Sequence, residues 1–255
     1  MTNADALAQL KRSLVENAGG HLRNTLHIPG ETCERCRGTR MRDGYRICYP
    51  SEFNYPGAAD RVGSIIYGVD GLQSGKMMFG YKRIPAIPPL VQRVTALIAI
   101  ALTEHTACAE TLAGVKIAGW ASVPSLTRLG TEHPLRKILD EVHLPGIEIA
   151  VTASKLAREA TVHAKRSHSP ALYQVRTDVP QEGHVLLLED TWASGAHSQS
   201  VATALKQTGA VSVSILTVAR WLDWNERTSR IYRQYIDPRP FNPDTCPWTG
   251  GKCPP

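Results

Sequence analysis

Apolar and polar residues alternate along this chain in patterns that predict helices separated by short apolar strands. Leu7, Leu10, Leu14 and Val15 recur at helical spacing within residues 1–24, which predicts an amphipathic helix. A long apolar run that begins near Pro89 predicts a second helix, which extends to Ala113. Weaker patterns predict strands at 115–123, 147–152 and 171–176, and helices at 135–142 and 154–164.

Residues 184–218 form the clearest unit of the pattern. Val185–Leu188 is apolar without alternation, as expected for a central parallel strand that is covered on both faces. A turn follows at 189–196, then a helix at 198–208 and a second strand at 211–218. Strand, helix and strand with short links predict a right-handed βαβ unit. The fold class expected for the chain is therefore α/β, with an open, mainly parallel sheet flanked by helices.

Composition and charge narrow the range of partners. The chain has 255 residues, 42% of them hydrophobic, which is enough for a folded core, and a net charge of +6, which indicates anionic partners. The basic residues are scattered, and aromatic residues make up only 6%, so stacking platforms for nucleic acid are few. We therefore favour a phosphorylated small molecule over nucleic acid.

The chain shows neither a signal peptide nor a membrane-spanning segment by its pattern. Charges run through its first twenty residues, and its longest apolar run, at 94–102, is too short to cross a bilayer. We expect a cytoplasmic protein with no membrane partner, and the sequence leaves its oligomeric state open.

Two acids followed by a turn of small residues carry the candidate chemistry. Glu189 and Asp190 stand at the carboxyl end of the central strand, where carboxylates accept hydrogen bonds from vicinal hydroxyls. The backbone amides of the turn and the helix that follows it form an anion-binding site. Its residues are Ala193, Ser194, Gly195, Ala196, His197 and Ser198. This combination favours a sugar phosphate, the alternative being an ordinary strand-to-helix turn with solvated acids.

The segment HVLLLEDTWASGAHS resembles the signature of the type I phosphoribosyltransferases, in which four apolar residues precede two acids and a small-residue loop. The resemblance implies that Glu189 and Asp190 hold the ribose 2′- and 3′-hydroxyls of phosphoribosyl pyrophosphate (PRPP), while residues 193–198 bind its 5-phosphate. Thr191, Trp192 and His197 depart from the usual pattern. Trp192 is expected to narrow the sugar pocket or to stack on the acceptor.

A second segment, ASVPSLTRLGTEHPLRKIL, is similar to the pyrophosphate loop of the competence-associated ComF group. The likeness implies that Arg128 neutralises pyrophosphate, that backbone amides position it, and that Mg²⁺ bridges it to the ribose hydroxyls. The residues expected to form this loop are Ser122, Val123, Pro124 and Ser125. All of them except the proline have a backbone N–H that could position pyrophosphate. Lys82, in a Tyr-Lys pair that resembles another element of this group, is expected to reach a phosphate. For each of these residues a solvated surface position is the alternative.

The cysteines predict a structural zinc site near the N-terminus. Cys33 and Cys36 have the CxxC spacing that lets two thiolates bind one zinc ion, and Cys48 adds a third sulfur. Members of the ComF group carry a similar knuckle with a second CxxC, which this chain lacks. The fourth ligand is then expected to be Cys246, Cys253 or His27. The alternatives are reduced cysteines without metal and a Cys246–Cys253 disulfide, whereas Cys108 is expected to pack within its helix.

These patterns predict three segments and a leading function. Residues 1–60 would form an N-terminal helix and Cys-rich segment, 61–221 a phosphoribosyltransferase-like core, and 222–255 a C-terminal extension packed on the N-terminal segment. The resemblance implies an enzyme that acts at C1 of the ribose of PRPP with loss of pyrophosphate, its acceptor unknown, with Glu189, Asp190 and Arg128 as catalytic residues. The alternative is a non-catalytic regulatory protein that binds PRPP or a nucleotide, or that handles nucleic acid.

Overall fold

A five-stranded parallel sheet forms the centre of the molecule in the computed structural model, which describes residues 3–39, 56–127 and 132–255. Its strands are β1 (Arg61–Val69), β2 (Ile117–Ser122), β3 (Ile147–Glu148), β6 (His184–Trp192) and β7 (Ser212–Leu222). They lie in the order β1-β7-β6-β2-β3, and all neighbours are parallel. Two further strands, β4 (Val151–Ala153) and β5 (Tyr173–Val175), form an antiparallel pair beside it.

Helices connect the strands and cover the sheet. They are α1 (Asn3–Ala18), α2 (Gln73–Gly80), α3 (Pro88–Ala113), α4 (Pro134–Leu139), α5 (Leu156–Glu159), α6 (Val162–Arg166), α7 (Ala196–Gln207) and α8 (Glu226–Ile231). A 3₁₀ turn at Pro170–Leu172 precedes β5, and a π-helical turn at Tyr232–Ile236 follows α8. No helix within the described ranges is long and apolar enough to cross a membrane.

The central strand β6 is buried on both of its faces. Leu186 and Leu188 point into one core cluster, together with residues of α1 and α3. Val185 and Leu187 point into the other, together with residues of α7. This two-sided burial confirms the α/β fold class and explains why the strand is apolar without alternation.

Strand β1 is, like the helices α2 and α8, one of the elements that the apolar pattern does not predict. Its sequence contains two glycines, which weaken a strand pattern. Both stand where another group approaches closely: a Cβ at Gly63 would lie 2.7 Å from the Trp248 ring, and one at Gly68 would lie 3.1 Å from Ala219 Cβ. The glycines therefore permit close packing on β1 instead of breaking it.

Strand β6 is longer than the pattern predicts. It continues past Leu188 to Trp192, because Glu189, Thr191 and Trp192 remain in register with β7. The predicted strand at 147–152 is divided into β3 and β4, and the predicted helix at 154–164 is replaced by α5 and α6.

The last part of the chain returns to the N-terminal segment. Arg23 Nη2 lies 2.8 Å from Asp237 Oδ1, Asn24 Nδ2 donates to Asn242 O at 3.0 Å, and Arg37 donates to the carbonyl of Trp248. The division into three segments stays a prediction, but these contacts describe how the C-terminal extension lies.

Candidate functional site

A cleft opens at the carboxyl ends of β2 and β6, which are neighbours in the sheet. From β2 the chain continues to β3 on one side, whereas from β6 it continues to β7 on the other. Such a reversal point is where ligands bind in open α/β sheets. The cleft is lined by Val123, Pro124, Ser125, Leu126, Thr127, His133, Leu135, Glu189, Asp190 and His197.

Asp190 is the most heavily contacted carboxylate of the cleft. Its Oδ2 accepts a hydrogen bond from the Tyr81 hydroxyl at 2.5 Å and forms an ion pair with Lys82. Burial raises the pKa of Asp190, but the charge of Lys82, the neighbouring His133 ring and the hydrogen bonds from Lys82 and Tyr81 outweigh burial and hold it below its usual value. Asp190 is therefore an anion at neutral pH.

His133 approaches the same oxygen through a defined tautomer. Its Nδ1 accepts from the backbone N–H of Leu135 at 3.1 Å, at the start of α4. The other ring nitrogen, Nε2, then carries the proton and faces Asp190 Oδ2 at 3.5 Å. The N-terminus of α4 and the end of β6 are thereby joined across the cleft.

Glu189 has the opposite electrostatic character. Its Oε2 accepts a hydrogen bond from Ser198 of α7. Burial and, secondarily, the neighbouring charge of Asp190 raise the pKa of Glu189 well above its usual value. One buried anion and one carboxyl that resists ionisation thus stand side by side on β6.

The turn after β6 has the backbone geometry of an anion site. Gly195 adopts φ +86° as the residue before α7, where a Cβ would overlap the Trp192 ring. Helix α7 follows at once, and the N–H groups of a helix's first turn have no partner within the helix; that of Ala196 donates to Ser194 Oγ at 3.3 Å.

Arg220 of β7 supports this turn from below, and its role is not evident in the sequence pattern. It is 2% exposed, and its Nη1 donates to the carbonyls of Trp192 and Ala193 at 2.9 Å each. The guanidinium is always charged, so a positive charge lies directly beneath the turn. Only the register of β7 against β6, which pairs Trp192 with Arg220, reveals the contact.

His197 lines the cleft from the first turn of α7. Its Nδ1 lies 2.6 Å from the Tyr173 hydroxyl of β5. Burial lowers the pKa of His197, so its imidazole is neutral at neutral pH. A neutral ring presents one donor and one acceptor, instead of a second positive charge beside the turn.

Some of the residues predicted for the site line the cleft, and others lie away from it. Ser122 ends β2, and Val123, Pro124 and Ser125 line the cleft. Lys82 contacts Asp190, whereas Trp192 is fully buried in the core behind the turn. Arg128 lies outside the described residues. The substrate and catalytic roles of all these residues stay predictions.

Metal ligands come together at another place in the molecule. The ligating atoms of His105, Cys108, Cys246 and Cys253 lie within 4.8 Å of one another, a grouping that could hold a metal ion. The spacing of the cysteines points to the last two of these but not to His105 or Cys108. Cys33 and Cys36 belong to a separate loop that the Thr32–Thr39 bridge closes, and Cys48 lies outside the described residues. A zinc site of Cys33, Cys36 and Cys48 stays a prediction.

Comparison with known proteins gives a faint likeness in structure alone. No protein-family model and no curated protein matches this sequence. Similar solved structures include hypoxanthine phosphoribosyltransferase from Staphylococcus aureus in two crystal forms. The tetragonal form is 12% identical, with a TM-score of 0.31 over 51% of this chain and 73% of that one. The orthorhombic form is 10% identical, with a TM-score of 0.29 over 49% and 74%. Similarity of this size carries no argument about family or reaction.

Proposed function

We propose that this chain is a PRPP-binding enzyme of the phosphoribosyltransferase type, which acts at C1 of the ribose with loss of pyrophosphate. One observation supports the proposal above all. The buried carboxylate of Asp190, the half-buried Glu189 and the turn before α7 meet at the carboxyl end of the central strand, where the sheet reverses its order of connection.

The carboxylates are suited to a ribose. Asp190 is an anion and accepts hydrogen bonds, as the 2′- and 3′-hydroxyls of a ribose require. Glu189 stands next to it on the strand and is held by Ser198. Because phosphate is repelled by carboxylates, a pair of acids beside an anion turn favours a phosphorylated sugar over a free phosphate.

The turn is suited to the 5-phosphate. The N–H groups that begin α7, next to the left-handed backbone at Gly195, are donors suited to an anion. Arg220 adds a fixed positive charge below them. Both features favour an anion over a neutral ligand.

Pyrophosphate would lie across the cleft from the turn. The loop 123–127 follows β2 and forms the opposite wall, next to His133. A carboxylate pair also fits Mg²⁺, which binds one or two carboxylates together with substrate phosphates. Glu189 and Asp190 would hold the ion, whose charge would neutralise the leaving group and favour the ionised form of Glu189. The walls of the cleft then orient C1 and exclude water from it.

Calorimetric titration tests binding. The full chain is titrated with PRPP and Mg²⁺, and in parallel with ribose 5-phosphate, which lacks pyrophosphate. We expect saturable binding of both ligands, with PRPP tighter. Asp190→Ala should weaken PRPP binding by about 2 kcal/mol, or roughly 30-fold, because charge-assisted hydrogen bonds are lost.

Asp60→Ala is the matched control for that variant. Asp60 also pairs with a lysine, Lys206 at 2.8 Å, but it precedes β1 at the opposite end of the sheet. Unchanged PRPP affinity in Asp190→Ala, or an equal loss in Asp60→Ala, would contradict the ribose-binding role.

A pyrophosphate-release screen over nucleobases and amines then tests for the reaction. Release that depends on one acceptor supports the transferase. PRPP binding without release under any condition supports the alternative, a regulatory protein that senses PRPP or a nucleotide.

A further inference from the structure

Helix α3 and the C-terminal extension (residues 222–255, called the tail below) bring four potential metal ligands together on the far side of the sheet from α7. We propose that His105, Cys108, Cys246 and Cys253 form a tetrahedral zinc site that fastens the tail to α3. This proposal does not depend on the function proposed for the cleft.

Two of the ligands come from one face of α3. His105 and Cys108 are three residues apart, which places their side chains next to each other on a helix. His105 Nδ1 lies 3.9 Å from Cys108 Sγ and 3.5 Å from Cys253 Sγ. Zinc bonds of about 2.3 Å to sulfur and 2.0–2.1 Å to nitrogen, at tetrahedral angles, separate the nitrogen from each sulfur by about 3.6 Å. The observed distances match this geometry.

The other two ligands come from a tight loop in the tail. Cys246 N donates to Gly251 O at 2.9 Å, and Gly250 N donates to Cys246 O at 2.8 Å, so the chain turns back towards Cys246. Within this loop, Trp248 Nε1 donates to the backbone carbonyl of His105 at 2.8 Å. The loop is therefore held in register against the residue that supplies the nitrogen ligand.

The environment of the cluster also suits a cation. His105, Cys108 and Cys246 are buried, and the ring nitrogen of His105 that faces the thiols is Nδ1, which lies 3.9 Å from Cys108 Sγ and 3.5 Å from Cys253 Sγ. A buried imidazole nitrogen is unfavourable unless a partner compensates for its burial. Zinc supplies such a partner, since three thiolates and one imidazole are among its usual ligand sets. Cys253 is exposed and provides a path for the metal to enter.

A Cys246–Cys253 disulfide is the competing use of the two tail cysteines. It would employ two of the four side chains and would leave His105 and Cys108 without a role. The full donor set therefore favours zinc, and the experiment below distinguishes the two outcomes.

Metal content of the purified full-length chain tests the site, with Cys253→Ser as the first variant. Serine replaces an exposed side chain, so the variant should fold, which far-ultraviolet circular dichroism checks. Lys252→Ser is the matched control, since it changes an exposed neighbour that is not a ligand. Because the Cys33–Cys36 loop could bind an ion of its own, Cys36→Ser is measured beside them.

We expect Cys253→Ser and Cys108→Ser to contain about one zinc ion fewer per chain than Lys252→Ser. Cobalt added to Cys36→Ser should still give the visible absorption of a tetrahedral cobalt–thiolate centre. Melting temperature should fall by more than about 5 °C in Cys253→Ser, or on chelation, because metal binding stabilises the folded chain. Equal zinc in Cys253→Ser and Lys252→Ser, a chain without zinc, or a Cys246–Cys253 disulfide in protein purified under reducing conditions would each overturn the proposal.

Discussion

Glu189 and Asp190 are adjacent on β6, yet their pKa values move in opposite directions. Consecutive strand residues point to opposite faces, so each carboxyl meets different partners. Asp190 meets Lys82, Tyr81 and His133, which stabilise its charge. Glu189 meets Ser198 of α7, and burial opposes its ionisation. Pairs of acids whose surroundings separate their pKa values are frequent in active sites.

The raised pKa of Glu189 predicts a pH dependence of stability. Above the ordinary value of 4.5, the folded chain still holds a proton that the unfolded chain has released. Stability therefore falls as pH rises from that value to the raised pKa. Glu189→Gln should remove this part of the decline, so the stability of the variant relative to the natural chain should rise with pH above about 4.5. Urea unfolding of both chains at a series of pH values measures this difference in the free energy of unfolding.

Glu148→Gln serves as the control for that series, because Glu148 is an exposed carboxyl on β3. Parallel pH curves for the natural chain and Glu189→Gln would show that Glu189 ionises normally in the folded state.

Arg220 supports the turn by hydrogen bonds that no other residue type could make in the same way. Arg220→Met keeps the approximate size but leaves the carbonyls of Trp192 and Ala193 without these donors. We expect a loss of about 3 kcal/mol in the free energy of unfolding, measured with urea. Arg233→Met, which removes an exposed arginine near the Trp224 ring, should change stability by less than about 0.5 kcal/mol. Equal effects would mean that the Arg220 contacts contribute little.

At the scale of elements, the unit of β6, α7 and β7 could be predicted because local pattern and tertiary context agree. The apolar run of β6 is central in the sheet, and the turn residues Ala193–Gly195 lie where the pattern places them. Strand β1 could not be predicted, since its glycines make sense only against Trp248 and Ala219.

In the candidate site, too, only residues that are close together in the sequence could be predicted. The acid pair is contiguous and therefore visible in the sequence. Tyr81, in contrast, reaches Asp190 across 109 positions, and Arg220 reaches Trp192 across 28. His105 and Cys253, 148 positions apart, approach only because the tail folds back on α3. Contacts of this kind depend on the packing of elements, which periodicity does not reveal.

An alanine substitution at Gly195, in the turn before α7, should lower stability through both backbone strain and a clash with a neighbouring side chain. Gly195 has a positive φ and lies against the Trp192 ring, whereas Gly71 has a positive φ of +76° with open space around it. Gly71→Ala should cost about 1 kcal/mol from backbone strain alone. Gly195→Ala should cost at least about 3 kcal/mol, because the ring must also move. Urea unfolding compares them, and equal losses would show that Trp192 adapts freely.

At the scale of the whole molecule, the C-terminal extension contributes to the main core. Phe241, Cys246 and Trp248 are buried in the same cluster as Leu186 of β6 and Leu97 of α3. Polar contacts accompany this packing: Arg37 donates to the carbonyls of Val62 and Trp248, so it joins the N-terminal segment, β1 and the tail. The tail thus acts as part of the fold that supports the sheet.

Trp248→Ala tests this role of the tail. The indole is 6% exposed, packs on Gly63 of β1 and donates to His105 O, so its removal leaves a cavity between the tail, β1 and α3. We expect a loss of about 3–5 kcal/mol in the free energy of unfolding and faster proteolytic cleavage after Ile236. Trp224→Ala is the control, because Trp224 belongs to the same extension but is 37% exposed. If both variants lose equal stability and are cleaved at equal rates, the tail is attached by contacts other than Trp248, and the core formed by α3 and the sheet is stable without it.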